Sequence, residues 1–292
     1  MSRLDRLLPS LVCPDCRSSL ERRGTELVCG GPAAHRFAVR GEMPIFLAGA
    51  EEAARDAESR SFFNQLKTWL KGRPGLYRGL TAWLSPVLII DRSRALFERL
   101  GGGEGRVVVN LGSGPKHVGR EAINLDLFPF PGVDVVASAT RLPFADASVD
   151  GVVTEYVLEH VPDAALAVEE IRRVLRPGGL VYVALPFLEP YHESPNDYYR
   201  WTAHGIARLF PGYEVVEHGI AEGPTGTLNW VLQEWLSLVL SLGWEPLRRL
   251  LSILFMMLLW PIKALDLLVM RLPGASTIAA ATYYLGRKPS DR

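Results

Sequence analysis

The sequence predicts an α/β chain: an open, mostly parallel sheet with helices on both faces, a small metal-held ribbon at the N-terminus, and an apolar helical insertion before the last strand. Three observations predict it. Between Arg106 and Ala221, β-rich runs alternate with turns and with one strongly periodic helix. Three cysteines fall between Cys13 and Cys29 among short apolar segments punctuated by Gly and Pro. Residues 228–272 are strongly apolar, and a last strand-like run, Ile278 to Gly286, follows them.

Taken in order, residues 1–48 form the ribbon-like module and 49–104 a helical linker or cap. Phe62, Phe63, Leu66, Trp69 and Leu70 fall there at helical spacing, and Pro74 between Gly72 and Gly75 should break the pattern. Residues 105–292 form the main domain. Its strand runs are VVVNL, INLDL, VDVVA, GVVT, LVYVAL and YEVVEHGIA, and its clearest helix is Asp163 to Leu175. With 292 residues there is room for a full core. The 32 basic and 32 acidic side chains cancel, which disfavours the wide basic surface of a nucleic-acid binder. An odd cysteine count without a secretory signal points to a reducing, cytoplasmic setting.

Cys13 and Cys16 stand in C-P-D-C, a gap that lets two thiolates reach one ion from a tight turn. Cys29 follows after a hairpin-like stretch, and His35 completes a set of three sulfurs and one imidazole. Such a set closes a tetrahedron around structural zinc and leaves no open position for water, so a folding role is expected. The alternative is that these thiols are merely buried. The stretch also resembles the zinc modules of some ribosomal-RNA guanine methyltransferases and the small zinc proteins that activate tRNA methyltransferases.

Val107 to Asn110 read as a buried strand running into Leu111-Gly112-Ser113-Gly114, where glycines let backbone amides approach a ligand. A dinucleotide fingerprint needs glycine where His117 stands, so NAD is disfavoured. Asp126 ends the next strand, placed to accept hydrogen bonds from ribose hydroxyls.

The ordered motifs NLGSG, INLDL, ATRLPFADASVDGVV, EYVLEHV and IRRVLRPGGLVYVALP resemble those of class I methyltransferases of the methyltransferase type 11 kind, which have a Rossmann-like sheet. The resemblance implies S-adenosylmethionine as cofactor. It assigns the methionine part to the turn of Asn110, Gly112, Ser113 and Gly114, the ribose to Asp126, and the adenine border to Ser138 and Ala139. Many relatives carry Asp where Ser138 stands. Glu155 and Tyr156 follow the fourth strand, at the carboxyl edge where ligands of open sheets collect. The span from Gly114 to Ile123 is too short for a full helix and loop, so the first helix should be reduced to a turn. Relatives with that short form often act on glycans or cell-envelope components.

Methyl transfer needs an aligned nucleophile and, for a hydroxyl or amine, a proton acceptor. The loop PFLEPYHESPNDYYRWT supplies His192 as first candidate, with Asp197 beside it in the catalytic set; alternatively both only pin the loop through Arg200. His160 is a further candidate.

In the insertion, the longest uncharged run, Leu250 to Ile262, falls short of the roughly 20 residues a spanning helix needs. Lys263 and Asp266 make spanning close to break-even. A hairpin resting in the interface at the cytoplasmic face of the membrane, with Trp230, Trp235, Trp244 and Trp260 near the headgroups, fits better; a homodimer or partner interface is the rival. The expected function is methyl transfer to an oxygen or nitrogen of a glycan, a lipid-linked substrate or an envelope-related small molecule. The alternatives are an rRNA or tRNA methyltransferase, or a catalytically idle cofactor-binding scaffold.

Overall fold

The computed structural model describes residues 2–47, 49, 69–70, 72–89, 93–100, 102–103, 105–119, 121–192 and 196–290. Phe62, Phe63 and Leu66 of the expected amphipathic helix lie outside them.

The main sheet has seven strands: β5 (Val108–Leu111), β6 (Ile123–Asp126), β7 (Val135–Val136), β8 (Val149–Glu155), β9 (Leu175–Pro186), β10 (Glu214–Glu222) and β11 (Ala281–Arg287). Their spatial order is β10-β11-β9-β8-β5-β6-β7. The pairs from β7 to β9 are parallel, and β11 runs antiparallel between β9 and β10. The chain therefore reverses its direction of travel across the sheet between β5 and β8, which opens a crevice at their carboxyl ends.

Side chains alternate across the sheet with the period of two that a pleat imposes. On β9, Val181, Val183 and Leu185 enter one core, while Leu180, Tyr182 and Ala184 enter the core on the other face. The first core is covered by α4 (Ala164–Val174) and α5 (Ala203–Leu209). Asp163 caps α4 by accepting from the amide of Leu166 at 3.1 Å, and Ala167, Val168, Ile171 and Val174 form its buried stripe. The second core receives Leu96 and Leu100 from α3 (Ser93–Arg99) and the residue that follows it. Among the described residues no helix separates β5 from β6; turns do, as expected from the short span after Gly114. Pro74 does not merely interrupt a helix but opens α2 (Pro74–Leu84), using the first-turn position where its missing N–H costs nothing. The final strand starts later than its sequence pattern, because Ala275–Ile278 form a 3₁₀ turn.

Residues 3–46 form α1 (Arg3–Leu7) and a four-stranded antiparallel ribbon, β1 (Leu20–Arg23), β2 (Glu26–Cys29), β3 (Arg36–Arg40) and β4 (Met43–Pro44). This unit shares the first core of the main sheet: Leu4, Leu27, Phe37 and Phe46 are buried in one cluster with Leu125, Val135 and Phe144. Ile45 bridges to Val136 in parallel, and the amide of Phe46 donates to the Val136 carbonyl at 2.8 Å, so the ribbon covers the β7 edge. Arg3 adds a two-pronged contact to Asp134, each bond 2.9 Å.

Between β10 and β11 lies a hairpin of α6 (Pro224–Ser241) and α7 (Glu245–Leu259), turned by Leu242 and Gly243 at φ 51° and 79°. Its polarity is inverted. α6 buries Thr225, Asn229, Gln233, Ser237 and Ser241, a polar stripe at four-residue spacing, and turns Leu228, Trp235 and Leu238 outward at 63%, 56% and 54% exposure. α7 buries no residue, and Leu250, Ile253 and Leu258 are exposed. The chain returns through a 3₁₀ segment, Trp260–Leu265, and α8 (Asp266–Val269).

Candidate active site and metal centre

The turn after β5 is built for close approach. Gly112 and Gly114 have φ of 68° and 52°, and a Cβ on Gly112 would lie 2.2 Å from Val157. Asn110 is buried and ties this turn down, its amide donating to the Lys116 carbonyl at 2.9 Å and to Asn124 at 3.0 Å. Ser113 donates to the Gly114 carbonyl at 3.2 Å. Asp126, at the carboxyl end of β6, accepts from the Gly114 amide at 2.7 Å and the Phe128 amide at 2.9 Å.

Ser138 and Ala139 follow β7 on the same edge, with the Ser138 hydroxyl 2.8 Å from that of Thr140. The ribbon reaches this segment: Val12 donates to the Pro143 carbonyl at 3.0 Å, and Arg141 pairs with Asp15 and donates to the Phe46 carbonyl at 3.1 Å. Glu155, at the end of β8, pairs with Lys116 at 2.6 Å and so closes the other side of the glycine turn. Tyr156 has φ 56°, and its hydroxyl meets Glu222, which in turn meets Glu189. Burial pushes both carboxyls well above the usual range and raises the Tyr156 hydroxyl too. Sequence reasoning missed Lys116, Glu189 and Glu222; the only signal was a charged residue at or near each strand end.

The loop after β9 brings His192 and Asp197 together but gives them different surroundings. Asp197 is held by both terminal nitrogens of Arg200 and by the His192 amide at 2.9 Å. Burial raises its carboxyl, but these hydrogen bonds outweigh that and hold it below its usual value. The His192 ring places Nδ1 3.1 Å from the Pro190 carbonyl, which leaves Nε2 facing inward, 4.0 Å from Glu159 Oε1. His160 packs edge-on to it with ring centroids 5.3 Å apart. Glu159 is fully buried, and burial pushes its carboxyl up to about 8. Beside this cluster runs a cleft of about 560 Å³ between Phe187, Leu188, Glu189 and Pro190 of the loop and Val231, Glu234, Trp235 and Leu238 of α6, with Arg248 of α7 at one end.

In the ribbon, Cys13, Cys16, Cys29 and His35 converge, with ligand atoms all within 4.8 Å of one another. Cys13 Sγ is 3.3 Å from His35 Nδ1, and Cys16 Sγ is 3.1 Å from Cys29 Sγ. The turn that allows it uses Arg17 at φ 59° and a Cys13 amide donating to the Ser18 carbonyl at 2.9 Å. Three thiols and one imidazole at these distances fit tetrahedral zinc.

Comparison with known proteins agrees with this geometry. Residues 99–183 match the family described as a methyltransferase domain. An uncharacterised methyltransferase of Mycobacterium sp. (strain KMS) is 33% identical over 155 residues, covering 46% of this chain and 61% of the relative. The ubiquinone/menaquinone biosynthesis C-methyltransferase of Haemophilus ducreyi is 34% identical over 114 residues, covering 38% and 43% respectively. The chain thus spans about three fifths or less of the length of these curated relatives. Among solved structures, phosphoethanolamine N-methyltransferase 2 of Haemonchus contortus in complex with S-adenosylmethionine superposes with a TM-score of 0.50 at 16% identity, covering 85% of this chain and 62% of that one. That likeness shows the fold. The fold is thus the Rossmann-like fold of class I methyltransferases, and residues 99–183 resemble their methyltransferase domain.

Proposed function

We propose that this chain is an S-adenosylmethionine-dependent methyltransferase that works at a membrane surface on an acceptor with an apolar portion, transferring the methyl group to an oxygen or nitrogen of a lipid-linked or envelope-related glycan or metabolite. The observation that carries the cofactor half is the Gly114–Asp126 contact at the carboxyl ends of β5 and β6, beside the β5–β8 crevice. When bound, the cofactor supplies an electrophilic methyl group on a sulfonium. The chain's part is to seat it through the turn amides and Asp126, align the acceptor, and take up its proton. His192 Nε2 is that proton acceptor, with its tautomer set by the Pro190 carbonyl.

The inverted hairpin supports the membrane half. A helix pair with its polar groups inward and its leucines and tryptophans outward suits hydrocarbon rather than water. Glu245–Val269 is long and apolar enough to cross a membrane by length and composition, with 11% of its most apolar window buried. The two charges near its C-terminal end, however, face protein. The Lys263 ammonium donates to the Ala82 and Ser85 carbonyls, at 2.7 and 2.8 Å, at the C-terminal end of α2. Asp266 accepts from the first amides of α6, Thr225 and Gly226, at 2.8 and 3.0 Å. Each charge sits at the helix end of opposite sign, and both fix the return segment to the enzyme. This favours a hairpin lying in the interface. The cleft between α6 and the His192 loop then opens beside that face, which suits an acceptor drawn from the membrane. The ribbon holds structural zinc.

The test is transfer of labelled methyl from S-adenosylmethionine to a membrane lipid extract, with total RNA in parallel. Label in the lipid fraction supports the reading; label in RNA alone replaces it with the nucleic-acid alternative.

A further inference from the structure

Close to the proposed acceptor cleft, three side chains form a set that neither the cofactor crevice nor the fold requires. Glu159 and His160 lie in the short 3₁₀ turn Leu158–His160 after β8, and His192 comes from the loop after β9. The backbone clamps the two segments together: the Tyr198 amide donates to the Glu159 carbonyl at 2.8 Å. The Glu159 side chain is 0% exposed, and neither carboxylate oxygen has a hydrogen-bond partner. Leaving such a group unpaired is costly, so a fully buried, unsatisfied carboxylate calls for an explanation. Its Oε1 faces two ring nitrogens, 3.8 Å from His160 Nε2 and 4.0 Å from His192 Nε2.

Both rings are oriented in the same way. His160 Nδ1 lies 2.6 Å from the Asn196 carbonyl and His192 Nδ1 3.1 Å from the Pro190 carbonyl. A carbonyl can only accept, so each Nδ1 carries a proton, and in the neutral ring Nε2 is then the nitrogen able to ligate. Ligating histidines are fixed by this arrangement, the far nitrogen donating to a carbonyl. We propose that Glu159, His160 and His192 bind a divalent transition-metal ion of the zinc class. The three ligand atoms already lie within 4.8 Å of one another, and tetrahedral coordination at about 2.0–2.2 Å draws them together by at most about 1.5 Å. Two imidazoles and one carboxylate leave positions open, and the two histidine side chains are 16% and 23% exposed. The site differs from the ribbon in having no thiolate. It shares His192 Nε2 with the proton-accepting role, so metal and proton compete for one lone pair and zinc occupancy suppresses transfer.

The test is zinc stoichiometry of the full chain after equilibration with Zn²⁺ and gel filtration, for wild type, Glu159→Gln, His160→Asn and His192→Ala. Melting temperature and S-adenosylmethionine affinity serve as folding controls. The expected result is one zinc equivalent per chain fewer in each folded variant than in wild type. Equal zinc content in wild type and the folded variants overturns the proposal. The metal count is independent of His192 being the proton acceptor: zinc bound at the triad with methyl transfer undiminished rejects that role and leaves the metal site standing.

Discussion

The amide of Gly114 donates to Asp126 Oδ2 at 2.7 Å, joining the turn after β5 to the acid that ends β6. The contact makes one unit of the two features that the cofactor needs. It holds the glycine turn in its left-handed conformation and aims the carboxylate across the crevice, before any ligand arrives. Asn110, bound to Asn124 on the neighbouring strand, braces the same turn from below.

The ribbon should not melt alone. Because Leu4, Phe37 and Phe46 share a core with Leu125 and Val135, loss of the ribbon exposes the main sheet. Chelation, or Cys13→Ser, is expected to lower the melting temperature of the whole chain by on the order of 10 °C, in one transition, as a loss of several kcal/mol would. Differential scanning calorimetry checks it; two separate transitions, with the main one unmoved, would show that the ribbon is independent.

His192 and Asp197 should separate by type of effect. Asp197 is occupied by Arg200, so Asp197→Asn is expected to cost stability and lower turnover modestly. His192→Ala is expected to lower turnover about 100-fold or more at unchanged cofactor affinity, the span of general-base assistance. Single-turnover transfer rates beside melting curves decide it, and the reverse order would make the carboxylate the base.

How much of this was legible in the sequence depends on which interactions are local. The β5, β6, β8 and β9 runs, the Asp163 cap and the collapse of the first helix to a turn all follow from patterns within a few residues. The inverted hairpin was only half legible: average hydropathy marks 228–272 as apolar, but the stripe of Asn229, Gln233 and Ser237 becomes meaningful once the buried side is known. The docking of the ribbon on β7 and the Tyr156–Glu222–Glu189 cluster join residues far apart in the chain, and neither leaves a spacing to read. The sequence put His192 ahead of Asp197 on residue type but left open that both only pin the loop; the two-pronged contact of Arg200 with Asp197 separates them by geometry.

The hairpin should bring the protein to membranes. Full-length protein is expected to co-sediment with liposomes, whereas replacing residues 228–272 by a short linker should abolish this and keep cofactor binding, since Gly112, Gly114 and Asp126 belong to β5, β6 and the turn between them. Full-length protein that stays in the supernatant as a monomer contradicts it.

Glu222 should make stability fall with rising pH. Its carboxyl is pushed from an ordinary 4.5 to about 7, chiefly by burial, so the folded state binds a proton that the unfolded state has released. The stability this gives is fully present below the unfolded value and is lost as pH rises through the folded one. Wild type is expected to melt lower at pH 8 than at pH 5 by a margin that Glu222→Gln reduces, as thermal unfolding across that range would show.

The central claim is that the carboxyl ends of β5 and β6, beside the β5–β8 crevice, hold S-adenosylmethionine, and isothermal titration of the cofactor into the full chain tests it most directly. One site per chain is expected, with no binding of NAD. Asp126→Ala should weaken the affinity by about 1.5–3 kcal/mol, the range for a hydrogen bond to a charged group. Absence of binding by the folded wild type, or equal affinity in wild type and Asp126→Ala, would contradict the account.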